Sequence, residues 1–361
     1  MTGFYDLWLR CAQAMSSAGG GNALNRTTSR RLIVHSAPYK QVKLQFVIVC
    51  QWGAGAGACR LTVPRNFPAM HLASNRSRQD AVLLLHGLSG SPLEMQYLER
   101  CARQAGFRAH NPSIPGCGMA GRKHRFDTGV WRQWVDFAAE QLDALSREHE
   151  RVYVSGLCVG AVLALRLAIE RPQQVAGLAL VSTTLAFDGW RMPWYRVLAP
   201  LGWHTPLRRR IAWPERHPYG LKNERLRQWV LRAWATGPQS GGATTAAGAA
   251  YLPLSGIHEA HQLIRAVRRD IAQVRAPTLI LHAIEDDVAS PSSASFVALN
   301  IRSSVVRTIL YHNSYHILTL DNDKQSVADE TIGFFRGPAG AGAARSDEHG
   351  EGVKPKLFVV A

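Results

Sequence analysis

Little in this 361-residue chain points to a membrane span, a metal or a nucleotide. No run of about 18 or more apolar residues occurs, so a transmembrane helix is not expected. Six cysteines (Cys11, Cys50, Cys59, Cys101, Cys117 and Cys158) are scattered, with no CxxC pair and no His/Cys cluster. Neither a structural zinc site nor a disulfide framework is indicated, and a reducing, cytoplasmic setting is expected. The phosphate-cradling patterns GxGxxG and GxxxxGK[ST] are absent, so no nucleotide is expected and the cofactor expectation is none. With 46% apolar, 8% aromatic and 19% charged residues, the composition belongs to a folded globular protein rather than a disordered or collagen-like chain.

Acidic residues are scarce where basic ones abound. The formal charge is +16 overall, but it is uneven: +9 in residues 1–79, +1 in 80–185, +8 in 186–272 and −2 in 273–361. The expected folded core is thus nearly neutral, and two peripheral segments carry the excess. No RNA- or DNA-binding motif accompanies the charge, so nucleic acid is not an expected partner. Weak contact with an anionic membrane surface, or an acidic substrate, stays open. Oligomeric state is not legible.

Residues 1–79 lack a helical or strand period, apart from one short apolar run at Phe46 to Cys50, and read as a basic, poorly ordered N-terminal extension or as a small added strand pair. The stretch does not resemble a signal peptide. Met70 closely precedes the first clear element, which leaves a later natural start open. The Gly/Ala-rich stretch 337–361 reads as a disordered tail. Between them, β/α alternation marks a core over 80–185 and 273–336. Strands are expected at Ala81 to Leu85, Phe107 to Ile114, Arg151 to Ser155, Val175 to Ser182, Pro277 to His282 and Val305 to Tyr311. Helices are expected from Ser91-Pro92 to about Gln104, from Asp127 to about Glu148, from Cys158 to Glu170 and from Asp323 to Phe335. The fold class is α/β: a doubly wound, mostly parallel sheet with reactive groups at the strands' carboxyl ends. Residues 186–272, with six of the ten tryptophans, interrupt the alternation and predict a helical cap. Those tryptophans either glue the cap together or line an apolar pocket.

The chemistry centres on Gly156-Leu157-Cys158-Val159-Gly160, between a buried strand and a helix. It matches G-x-S-x-G, the nucleophile elbow, with sulfur in place of oxygen. The glycines allow a tight turn packed between strand and helix, and a helix N-terminus favours a thiolate over a thiol. The alternative is a buried, inert cysteine in a tight turn. A nucleophile needs a base, and the base an orienting acid. Of fourteen histidines, His316 follows the last strand and is the candidate base, ahead of His312, His282 and His86. Glu285, Asp286 and Asp287 follow the penultimate strand and supply the acid. The expected oxyanion donors are the backbone N–H groups of Val159, directly after the elbow, and Leu88, in His86-Gly87-Leu88-Ser89-Gly90.

The segments VLLLHGLSGSP, PSIPGCG, YVSGLCVGAVLALRLA, PTLILHAIEDDVASP and SYHILTLD together resemble the α/β-hydrolase superfamily, in its bacterial carboxylesterase and monoacylglycerol-lipase-like branch of serine aminopeptidase S33 type. The resemblance covers roughly residues 80–336. It places the nucleophile on Cys158, the acid on Asp286, the base on His316 and the oxyanion donors on Leu88 and Val159. Three departures stand out: Cys158 for the family's serine, as in dienelactone hydrolases and polyhydroxyalkanoate synthases, Tyr315 for a glycine, and Ala161 for a glycine. The resemblance implies hydrolysis of a small-molecule carboxylic ester through an acyl-Cys158 intermediate. A thioesterase or acyltransferase using the same intermediate, and a non-catalytic hydrolase-fold binding protein, are the alternatives.

Overall fold

The computed structural model describes residues 79–116, 130–203, 211–235 and 251–337, with Thr205, Arg208, Ala339 and a few short strands besides. Most of 1–79 and of 337–361, and with them the expected disorder at both ends, lies outside the described residues. Within 1–74, a separate unit, Arg31–Ile33 pairs antiparallel with Val47–Val49.

Six parallel strands form the sheet: β1 (Ala81–Leu85), β2 (Arg108–His110), β3 (Val152–Leu157), β4 (Val175–Val181), β5 (Thr278–Ala283) and β6 (Val306–Tyr311), in the order β6-β5-β4-β3-β1-β2. Every side chain of β1, β3 and β5 is buried, which is why these strands read as unbroken apolar runs rather than alternating ones. The strand expected over Phe107 to Ile114 is shorter, because only Arg108–His110 finds a partner in β1 at the sheet edge.

Helices α1 (Gln96–Gln104), α2 (Trp131–Glu148) and α3 (Val159–Glu170) follow β1, β2 and β3. The first expected helix opens as a 3-10 turn, Pro92–Met95, capped by the Ser91 side chain. Helix α3 is apolar nearly all round because β-strands cover one side and helices the other. Between β4 and β5 the chain forms a 3-10 turn (Trp194–Leu198), a short helix (Ala199–Trp203), a strand pair (Ala212–Pro214 with Tyr251–Pro253), α4 (Glu224–Ala235) and α5 (Leu254–Asp270). Helix α5 packs against α2 and α3, and its Ala260, Leu263, Ile264 and Val267 join the main core. Helix α6 (Ser292–Asn300) and α7 (Lys324–Arg336) complete the layers; α6 had no clear signature in the sequence. The sheet and its flanking helices bear out the doubly wound α/β architecture. Among the described residues no helix is long and apolar enough to cross a membrane.

Candidate active site

The strand order brings the loops after β1, β3, β5 and β6 to one end of the sheet, the carboxyl end, where reactive groups collect in doubly wound folds. Cys158 sits between β3 and α3 with φ 58 and ψ −120, a backbone conformation that L residues rarely adopt. Close packing enforces the turn. A Cβ added at Gly156 would lie 2.2 Å from Gly160 O, and one at Gly160 would lie 2.2 Å from Leu85 O. The strained turn projects Cys158 from the sheet, leaving it 8% exposed. Thr184 Oγ1 lies 3.3 Å from its Sγ.

His316 Nδ1 lies 2.9 and 2.8 Å from the two carboxylate oxygens of Asp286. Asp286 is itself fixed, its Oδ1 accepting from Val288 N–H at 2.9 Å and Ala289 N–H at 2.8 Å. The other ring nitrogen, Nε2, is buried and makes no hydrogen bond of ordinary geometry. Cys158 couples electrostatically to the same ring and lines the same pocket. Burial alone would push the His316 pKa down, but the Asp286 carboxylate and the Cys158 sulfur outweigh it and hold it well above its ordinary value. Asp286 shows the reciprocal effect: burial pushes its pKa up, yet charge and hydrogen bonding from His316 leave it below the usual range.

Val159 is the first residue of α3, so its N–H has no acceptor within the helix. Leu88 lines the pocket with Cys158 and His316, in a cavity of about 110 Å³. The five residues singled out in the sequence therefore stand on the loops around one pocket: Cys158, Leu88 and His316 in its lining, Val159 next to Cys158, and Asp286 behind His316.

The competing histidines have other partners. His86 Nδ1 donates to Gly87 O at 2.9 Å and its Nε2 accepts from Ile114 N–H at 3.0 Å, which cross-links two loops through a neutral ring. Burial holds its pKa below the ordinary value. His282, the penultimate residue of β5, donates from Nε2 to Ala289 O at 2.9 Å and has the same nitrogen 3.4 Å from Asp286 Oδ2. His312 is exposed, and its carbonyl accepts from Lys222 Nζ.

Four carboxylates near the pocket were not distinguished by the sequence. Asp287 accepts from His316 N–H at 3.3 Å and from Gly220 N–H at 3.0 Å, and so ties the histidine loop to the segment before α4. Asp321 strengthens that tie, accepting from Tyr315, Lys222 and Asn223 N–H groups at 2.9, 2.6 and 2.8 Å. Glu94 reads in the sequence as an ordinary first-turn helix acid. Its carboxylate reaches back to Gly87 N–H at 2.9 Å and lines the reaction pocket. It also fills the space beside Gly90, where a Cβ would lie 2.3 Å from its oxygens. Burial pushes its pKa up to about 7 against the lowering effects of Gly87 N–H and His316. Glu215, from the segment after β4, is likewise raised to about 7 by enclosure, reinforced by Asp287, although water reaches it through the cavity. No local pattern marks these acids, because the hydrogen-bond partners of Glu94, Asp287 and Asp321 are 6 to 99 residues away in the chain.

Of the six tryptophans in 186–272, Trp203 and Trp213 line a larger cavity, Trp234 lines the reaction pocket, and Trp190, Trp194 and Trp229 are exposed. The pocket-lining reading fits Trp203, Trp213 and Trp234, and the three exposed tryptophans do not pack an interior.

The model of the serine aminopeptidase S33 family matches residues 76–323. A thermostable monoacylglycerol lipase from Bacillus sp. (strain H-257) is 22% identical over 267 residues, covering 72% of this chain and 91% of that protein. A carboxylesterase from Bacillus subtilis (strain 168) is 22% identical over 257 residues, covering 71% and 92% respectively. Among solved structures, the monoacylglycerol lipase of Paleococcus ferrophilus superposes with a TM-score of 0.56 at 17% identity, covering 72% of this chain and 94% of that one.

Proposed function

The chain belongs to the serine aminopeptidase S33 family of α/β-hydrolases, and from that premise we propose that it hydrolyses carboxylic esters of small acyl substrates through a covalent acyl-Cys158 intermediate. The observation that carries the reading is His316, bound through Nδ1 to Asp286 and lining one pocket with Cys158. The curated relatives, a monoacylglycerol lipase and a carboxylesterase, favour an ester as the substrate bond.

In this scheme His316 Nε2 takes the Sγ proton and the sulfur attacks the ester carbonyl carbon. The N–H groups of Leu88 and Val159 stabilise the oxyanion that forms. The imidazolium returns its proton to the leaving alcohol as the C–O bond breaks, which leaves a thioester on Cys158. His316 then takes a proton from water. The hydroxide adds to the thioester, the C–S bond breaks, and the sulfur recovers the proton. Asp286 keeps Nδ1 protonated throughout and stabilises the transient imidazolium. No cofactor enters the scheme, and a cytoplasmic location belongs to the same proposal.

The sulfur nucleophile favours a second reading: thioester hydrolysis, or transfer of the acyl group to an acceptor other than water. Exchange between an acyl thioester and Cys158 replaces one C–S bond by another, so the acylation step is nearly balanced. A panel of p-nitrophenyl esters, monoacylglycerols and acyl thioesters, with Cys158→Ala as control, tests both. Turnover that needs Cys158 supports the scheme, and the preferred leaving group separates the two readings. Turnover that survives in Cys158→Ala removes the nucleophile assignment.

A further inference from the structure

Beside the reaction pocket lies a second cavity of about 420 Å³, within the range of small-molecule sites. The two share Phe187, Glu215, Leu252 and Val288 as walls, so the larger cavity adjoins the one that holds Cys158. Much of that space is apolar, with Met192, Trp203, Trp213 and Ile257 among its walls. Arg191, Arg196 and Arg216 also line it.

Arg191 is exposed, and two hydrogen bonds hold it at the cavity lining. Its backbone N–H donates to Asp287 O at 3.2 Å, and its side-chain Nε donates to His217 O at 2.7 Å. The second bond fixes the guanidinium plane and leaves its terminal nitrogens to other acceptors. It also brings Arg216, the residue preceding His217, onto the same lining. Arg196, half-buried on the 3-10 turn, has its one side-chain bond to Pro193 O, at 3.4 Å. Among the described residues neither Arg191 nor Arg196 forms an ion pair.

The cavity's own acids are engaged elsewhere. Asp188 accepts from Ser290 N–H and Oγ, both at 2.8 Å, and from Ser292 Oγ at 3.2 Å. Asp287 holds Gly220 and His316. Glu215, exposed on the same lining, forms no ion pair with Arg191 or Arg196 among the described residues. Cations placed in an apolar wall without carboxylate partners favour an anionic ligand. The segment that supplies them carries a formal charge of +8.

We propose that this cavity seats the anionic end, a carboxylate or a phosphate, of an otherwise apolar acyl substrate, against Arg191 and Arg196. Calling that molecule the substrate rests on the hydrolase reading; the binding claim does not. Fork-shaped guanidinium groups suit both anions, and the apolar walls take the chain between the anion and the scissile carbonyl.

Isothermal titration of the full chain with octyl phosphate, octanoate and octanol tests binding without chemistry. An anionic probe is expected to bind about tenfold or more tightly than octanol, in line with a charge-assisted hydrogen bond. Whichever anion binds more tightly identifies the headgroup. The gap is expected to collapse in Arg191→Gln/Arg196→Gln, or in Arg196→Gln alone if the double variant does not fold. Equal binding of all three probes by the unaltered protein overturns the proposal, as does a preference that persists in a folded variant. In parallel, p-nitrophenyl esters of octanoate and of suberate, which differ in a terminal carboxylate, report turnover. Tighter anion binding with no turnover of either ester supports this site and sinks the hydrolase reading. Turnover of both esters with equal binding of the three probes sinks this site and leaves the hydrolase reading standing.

Discussion

Glu94 Oε2 accepts a hydrogen bond from Gly87 N–H at 2.9 Å, across seven residues of chain, and so holds the loop that carries the candidate oxyanion donor Leu88. The contact is enclosed, and the missing side chain at Gly90 makes room for it. Glu94→Ala is expected to remove the side-chain acceptor of the Gly87 N–H bond, at a cost of about 1–3 kcal/mol in stability, and to lower kcat more than it raises KM. Glu94→Gln keeps an acceptor oxygen and should retain most activity. Thermal unfolding and steady-state kinetics of the two variants check this. Equal loss of kcat in both would mean that the charge, rather than the acceptor, matters.

The same residue makes a pH prediction. Its folded pKa of about 7 lies above the ordinary 4.5, so the folded state holds an extra proton between those values. The resulting stability is fully present below pH 4.5 and is lost as pH rises through about 7. The stability of the unaltered protein relative to Glu94→Gln should therefore fall across that interval and level off above it. Denaturant titrations at several pH values measure the difference, and a flat difference would contradict the assignment.

Asp286 raises the proton affinity of His316, so Asp286→Asn should move the acid limb of kcat/KM to lower pH while reducing its plateau. The neutral amide supports neither the imidazolium nor the correct tautomer, and a loss of about 10⁴-fold in kcat is the scale for such a change. The pair also contributes to stability. Because the folded His316 pKa is raised, that contribution is complete below about 6.5, the ordinary histidine value, and disappears as pH rises through the folded value. An unshifted acid limb in the variant would separate Asp286 from the rate-limiting protonation.

Cys158 should alkylate with iodoacetamide faster than Cys101, the other described cysteine, even though Cys101 is the less buried of the two. Prior exposure to an activated ester should slow that labelling by occupying the sulfur. Mass spectrometry of timed digests provides the readout. Slower labelling of Cys158 than of Cys101 would point to an inert thiol.

Gly160→Ala should be severe for steric reasons alone. Its Cβ would lie 2.2 Å from Leu85 O and 2.5 Å from His86 O, both backbone atoms of β1 and the loop after it. Overpacking against backbone costs about 1–3 kcal/mol or more. The melting temperature should drop together with activity, and unchanged unfolding would argue against so tight a crossing of strand and helix.

The sequence by itself determined the α/β alternation, the elbow at Cys158 and the family. These are local properties: a strand buried on both faces must be apolar at every position, and an elbow must have glycine where backbones touch. The same locality located His316 after the last strand. The sequence left Glu285, Asp286 and Asp287 as equal candidates for the acid until the family resemblance favoured the middle one. Only the tertiary structure separated them physically, turning Asp286 to the imidazole, Asp287 to backbone N–H groups and Glu285 to Lys222. It also decided what Glu94 and Asp321 hold in place. Those side chains act across distant segments, and a hydrogen bond between such segments leaves no periodicity or spacing in the chain. Burial and charge compensation exist only once the sheet has brought the loops together.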